Sequence, residues 1–99
     1  MPDSYVKIVR QGANVMIAVC DTEILGKKLK DKNRVFEVSE YFYKGKRMTV
    51  EEAIELVKRC TIANLVGKNT VGCAKAEGIV HPEAVLQILD VPHALIVRV

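Results

Sequence analysis

"YVKIVRQGANVMIAVC", residues 5–20, holds two β-rich runs separated by Gln11-Gly12-Ala13-Asn14. Glycine and asparagine tolerate the positive φ of a tight connection, so the pair reads as a hairpin. The second run, Val15–Cys20, is apolar at both parities. A strand without a polar face belongs in the middle of a sheet that is covered on both sides. One central strand and its hairpin partner therefore set the frame into which the rest of the chain must fit.

Downstream, Asp21-Thr22-Glu23 interrupts the apolar run, and residues 22–25 have room for a one-turn helix. Val35-Phe36-Glu37-Val38 reads as a third strand, with the basic run before it as a connection between strands. Residues 49–60, TVEEAIELVKRC, carry the clearest helical signal. Thr49 and Glu52 have capping-box spacing. Val50, Ala53, Ile54, Val57 and Cys60 make one apolar stripe, with Leu56 outside it. Acids lie early and bases late in this segment, as the helix dipole favours. Gly67 reads as a helix stop, and a short helix is expected from Asn69 or Thr70 to Ala76, ended by Gly78. His81-Pro82-Glu83 opens a further expected helix with Pro82 at its first position and Ala84, Val85, Ile88 and Leu89 facing inward. Asp90-Val91-Pro92 breaks it, and residues 93–99 return as a last strand. This order predicts an α+β fold: a small mixed or antiparallel sheet of about four strands packed with two to four helices.

The 99 residues form one expected domain, residues 1–99, without repeat, linker or low-complexity segment. A composition of 49% hydrophobic and 27% charged residues is that of an ordinary globular chain. The longest strictly apolar run, residues 15–20, is far short of the ~20 residues that cross a bilayer. No secretory signal pattern opens the sequence, so a cytoplasmic protein with no membrane contact is expected. Cys20, Cys60 and Cys73 are an odd number at wide spacing, which suggests neither a disulfide framework nor a zinc ribbon. Each lies among apolar neighbours and is expected in the core. His81 and His93 have no partner at a ligand spacing, so neither a metal nor another cofactor is expected. No residue is assigned a catalytic role.

The net charge of +3 is unevenly placed. Residues 26–47 hold eight cations against three acids. The cations are Lys27, Lys28, Lys30, Lys32, Arg34, Lys44, Lys46 and Arg47. Four of the five aromatic residues, Phe36, Tyr41, Phe42 and Tyr43, fall between the two basic groups. Lysine and arginine neutralise phosphates while aromatic faces stack on bases, so this segment is the candidate nucleic-acid surface, with Tyr41 and Tyr43 as stacking groups. "GKNT" at 67–70 lacks the upstream glycine and the hydroxyl residue after lysine that a nucleotide-triphosphate loop requires: Ile62 and Asn69 stand there. A weaker anion site at a helix start beside Lys68 stays open.

Five segments, "AVCDTEILGK", "VSEYFYKGKRMTVEEAIELV", "TIANLVG", "GIVHPEAVLQI" and "VPHALIVRV", together resemble the archaeal family known as domain of unknown function 424. The resemblance runs from about Tyr5 to Val99. Asp90 stands where the family usually has a glycine. The family has no assigned activity or catalytic residue. Its genes often lie near translation and ribosome-biogenesis factors, so the resemblance implies a link with RNA. The leading expectation is a non-enzymatic RNA- or ribonucleoprotein-binding module. A second reading is a small-molecule or anion-binding protein, or an enzyme, with a pocket of Asp21, Asn64, Gly67, Lys68 and His93. A third is a protein-interaction adaptor, such as a homodimer formed through an exposed strand edge.

Overall fold

A computed structural model describes residues 2–98. The predicted hairpin is there: β1 (Asp3–Gln11) pairs antiparallel with β2 (Asn14–Asp21), and Gly12 turns the chain at φ +60°. Thr22–Ile24 forms the expected one-turn helix, as a 3₁₀ turn. The basic run is not a plain connection. Lys28–Lys30 is itself a strand, β3, paired with β4 (Val35–Glu37) as a separate two-stranded ribbon. Its lysines are poor strand formers, but Leu29 and Phe36 lie directly opposite each other and are both half-buried, and Phe36 packs against the core of this face, which holds the ribbon down.

Ser39 caps the one-turn helix α1 (Glu40–Tyr43), its side chain accepting from the Phe42 amide. β5 (Lys46–Thr49) follows and pairs with the first half of β1. Thr49 then caps α2 (Val50–Val57) through the predicted capping box. The stripe Val50, Ala53, Ile54, Val57 and Cys60 is buried, and Leu56 packs at its border. The chain returns through β6 (Ile62–Val66), α3 (Lys68–Ala76), β7 (Leu86–Ile88) and β8 (Val91–Val97). Gly67 does not stop a helix. It leaves β6 at φ +116° and starts α3.

The expected helix after Pro82 is reduced to a 3₁₀ turn, Pro82–Ala84. Beyond it the chain pairs with β8 instead, and Leu89, expected inside, is exposed. Leu89 and Asp90 make the β7–β8 turn with φ of 48° and 66°. A two-residue turn of this kind favours glycine, and here leucine and aspartate take its left-handed positions.

The main sheet has six strands in the order β5-β1-β2-β6-β8-β7, with only β2 and β6 parallel. The α+β class holds, with a larger sheet than the four strands expected. The central position of β2 follows from its doubly apolar sequence. On one face, the row Val6–Val19–Leu65–Ala94 lies under α2 and α3 and is almost wholly buried. Arg98 ties α2 to the sheet by donating to the Val57 and Cys60 carbonyls at 2.9 and 3.1 Å. On the opposite face, Ala18, Cys20 and Val66 are covered by α1 and the β3–β4 ribbon through Tyr43, Val38 and Phe36. No helix among the described residues is long and apolar enough to cross a membrane.

Candidate functional site

The ribbon-covered face has three rows that run straight across β1, β2, β6 and β8. The first is Tyr5–Cys20–Val66–His93, the second Lys7–Ala18–Asn64–Leu95 and the third Val9–Met16–Ile62–Val97. Residues paired side by side point to the same side of a sheet, so the rows form one surface. The ribbon lies on the first row, where the Phe36 ring meets the His93 ring at 5.0 Å. The third row is left largely open: Val9 and Val97 are exposed, as is Leu95 in the second.

A polar node marks the boundary between covered and open rows. Asn64 Oδ1 accepts from the Tyr43 hydroxyl and lies against His93 Nε2, both at 2.8 Å. Because Oδ1 can only accept, His93 carries its proton on Nε2 in this arrangement. Burial lowers the His93 pKa from its ordinary 6.5 and so favours the neutral ring. Burial also raises the Tyr43 pKa, which keeps the phenol a donor. Tyr43 is 2% exposed. It is a core residue, and this corrects the expectation that it stacks on a base. The node holds α1, β6 and β8 together. Cys20, beside it in the first row, is buried and its thiol is pushed up to about 12 by desolvation and the neighbouring Asp21 charge. A thiol so protonated is no nucleophile near neutral pH.

Tyr41 points the other way and is 86% exposed. Lys7 reaches it twice: its ammonium donates to the Tyr41 carbonyl and lies 4.5 Å from the ring centroid. Beneath them a cleft of about 240 Å³ is lined by Lys7, Val9, Met16, Ala18, Tyr41 and Phe42. Lys7 is its one charged wall residue. Sequence reasoning did not pick out Lys7, and it named Phe42 only among the aromatic residues of the basic segment. The signal was the lysine of an otherwise β-rich strand, which register places beside Ala18.

All eight expected phosphate-contacting cations are exposed. Lys28 and Lys30 stand on the exposed side of the ribbon, alternating with the half-buried Leu29 between them. Arg34 pairs with Asp31 at 3.2 Å in the ribbon's turn. There Asp31 also accepts from the Asn33 and Arg34 amides, and these bonds hold its carboxyl below the usual range. Lys44 and Arg47 have carboxylate partners in Glu40 and Asp3, at 4.0 and 3.1 Å. Among the described residues, Lys27, Lys28, Lys30, Lys32 and Lys46 have none within that distance. The lysine group on the ribbon and the group on β5 flank α1 in the chain.

The five residues of the alternative pocket are divided. Asp21, Gly67 and Lys68 line a cavity of about 350 Å³ beyond the ends of β2 and β6, while Asn64 and His93 belong to the node on the ribbon-covered face. Asp21 is 1% exposed, and its carboxylate accepts from the Asn69 and Thr70 amides at 2.9 Å and from the Thr70 hydroxyl at 2.7 Å. The start of α3 thus already holds an anion, supplied by the chain itself. Gly67 is required for it: a Cβ there would lie 2.4 Å from Asp21 Cγ. Thr70, which completes this lock, was foreseen only as a helix start. No group of three or more metal-ligating side chains occurs among the described residues.

A solved structure has the same architecture: an uncharacterized conserved protein from the archaeon Methanopyrus kandleri. It matches with a TM-score of 0.82 and 25% identity over 95% of this chain and 90% of that one. No curated protein matches the sequence. The profile of the family described as "Protein of unknown function (DUF424)" matches residues 9–99, so the chain belongs to that family.

Proposed function

We propose that this member of the DUF424 family is a non-enzymatic RNA- or ribonucleoprotein-binding module of the cytoplasm, acting in translation or ribosome biogenesis. One observation carries the reading. Eight cations lie exposed on the ribbon and the α1–β5 segment, five of them without a carboxylate partner among the described residues. Unpaired lysines on a solvated surface keep their full charge for phosphate, whereas paired ones must first lose a partner. Lysines give such a surface affinity without sequence readout, since phosphate contacts position a nucleic acid but do not specify it.

The adaptor reading has less support. β5 pairs with β1 only through Asp3–Val6, which leaves residues 7–11 without a strand neighbour on that side. Lys7 and Arg10 stand on this edge, and cations there oppose self-pairing of strands. The anion-pocket reading is weakened because Asp21 occupies the amides that an anion would use.

The test is binding to a mixed RNA pool from ~50 to ~200 mM salt. Engagement of about four phosphates gives a log–log slope near −3 for single strands, at about −0.7 per phosphate. Charge reversal at Lys28, Lys30 and Lys32 should weaken binding to every sequence and flatten the slope by about 2. Equal affinity in wild-type and reversed protein would overturn the assignment of the ribbon as the phosphate contact.

A further inference from the structure

We infer that the cleft between α1 and strands β1 and β2 receives one unpaired nucleobase, stacked on Tyr41, while the lysines around it hold the backbone of a single-stranded RNA. This rests on the RNA-binding reading and adds to it a base site, a stacking residue and a preference for unpaired strands.

Three features of the cleft select this occupant. The first is the state of Tyr41. An exposed aromatic side chain normally gains little from one fixed position and samples several. Here Lys7 holds both the carbonyl and the ring, with its ammonium on one side of the cleft wall. An aromatic ring fixed before binding loses little entropy when a flat group stacks on it, and a cation against the ring strengthens the contact with an electron-rich partner. The second feature is size. About 240 Å³ is below the ~300–1,000 Å³ of pockets that enclose drug-sized ligands, so the cleft suits one planar ring system with the rest of its molecule outside. The third is charge. Apolar side chains make the walls, and Lys7 is the one charged residue among them. The chain segments on either side of α1 carry the lysines of the ribbon and Lys44 and Arg47, whereas Lys46, paired with Val6, stands on the helix-covered side of the sheet. An apolar slot for a ring, with Lys7 at its wall and further cations in the chain segments that flank α1, is complementary to a base and its phosphates. An apolar peptide side chain would fill the slot but would leave the cations without partners.

A base inside a duplex cannot enter such a slot without unpairing, so the site discriminates between single and double strands. Beyond the cleft the third row continues through Ile62 to Val97, an apolar floor along which neighbouring bases can lie.

The experiment measures fluorescence anisotropy with a labelled oligouridylate of about 10 nucleotides, inside the ~4–16-nucleotide site sizes of small single-strand binders. An oligomer of the same length without bases serves as the second probe. Tyr41→Ala should weaken the oligouridylate by about tenfold or more and leave the salt slope unchanged, because stacking is lost and phosphate contacts are not. Tyr41→Phe should retain the affinity. The baseless oligomer should bind wild-type and Tyr41→Ala equally. Because Tyr41 is 86% exposed, its replacement spares the fold. Full affinity in Tyr41→Ala, with binding lost on reversal of Lys28, Lys30 and Lys32, would overturn the base site alone. Absence of wild-type binding at ~50 mM salt to either probe and to duplex RNA would overturn the RNA reading with it.

Discussion

The two faces of one sheet are finished differently. Under α2 and α3 the rows of β1, β2, β6 and β8 are sealed by side chains such as Val19, Leu65, Ala53 and Val57. The opposite face is covered on its first row and on the Ala18–Asn64 part of its second, by a small ribbon and a four-residue helix, and is left apolar and open on its third. Stability alone does not call for that asymmetry, since an open apolar row forfeits about 25 cal/mol for each Å² it leaves in water. Contiguous exposed apolar surface is where folded proteins meet partners. The helix side is where this protein keeps its fold. The ribbon side is where it has surface to use.

That contrast can be broken by substitution, starting on the sealed face. Leu65→Ala should cost about 4 kcal/mol, as large-to-small changes at wholly buried positions do, and lower the thermal midpoint of the whole chain. Gly67→Ala should cost about 3 kcal/mol in a denaturant titration, because the new Cβ meets the Asp21 carboxylate and φ of +116° suits no other residue. A midpoint within error of wild type for either would mean that the helix side is not the stabilising half. Phe36→Ala, on the other face, should cost only about 1–2 kcal/mol, since this ring is half-buried. Amide exchange should then quicken in residues 28–37 while β2 and β6 keep their protection. Equal quickening in all strands would show that the ribbon folds as one unit with the sheet.

The smallest effect tests the node beneath the ribbon. Burial lowers the His93 pKa in the folded protein, so below about pH 6.5 the unfolded chain takes up a proton that the native ring resists. His93 therefore favours folding fully above that pH and progressively less as pH falls through 6.5 toward the lowered value. His93→Gln, which keeps a donor for Asn64, should make stability less dependent on pH between about 7 and 5. An unchanged pH profile would show that the ring is hydrated in solution.

Much of this arrangement was legible in the sequence, though unevenly. The central strand β2 announces itself by being apolar at both parities, and α2 by its capping box and stripe. β6 was missed because Asn64 interrupts its short apolar run, and the reason for Asn64 lies 21 residues upstream in Tyr43 and 29 downstream in His93. The segment after Pro82 has helical spacing over too few residues to resist pairing with β8, so a tertiary contact decides it. β3 escapes notice because lysines dominate it and a single half-buried leucine fixes it. At the candidate site, the cations and Tyr41 were readable as a surface. That Tyr43 turns inward while its neighbour Tyr41 turns outward is a matter of one helical turn, and Lys7 becomes relevant only once β1 is laid beside α1.

The most direct test of the account maps amide chemical shifts in ¹⁵N-labelled protein as single-stranded RNA is added at ~50 mM salt. The account predicts shifts concentrated in residues 7–9, 16–18, 27–34 and 40–47, with α2 and α3 unmoved. Shifts centred on α2 and α3, or on the Gly67–Asn69 cavity, would contradict it and transfer the functional surface to the helix side of the sheet or to the cavity at its strand ends.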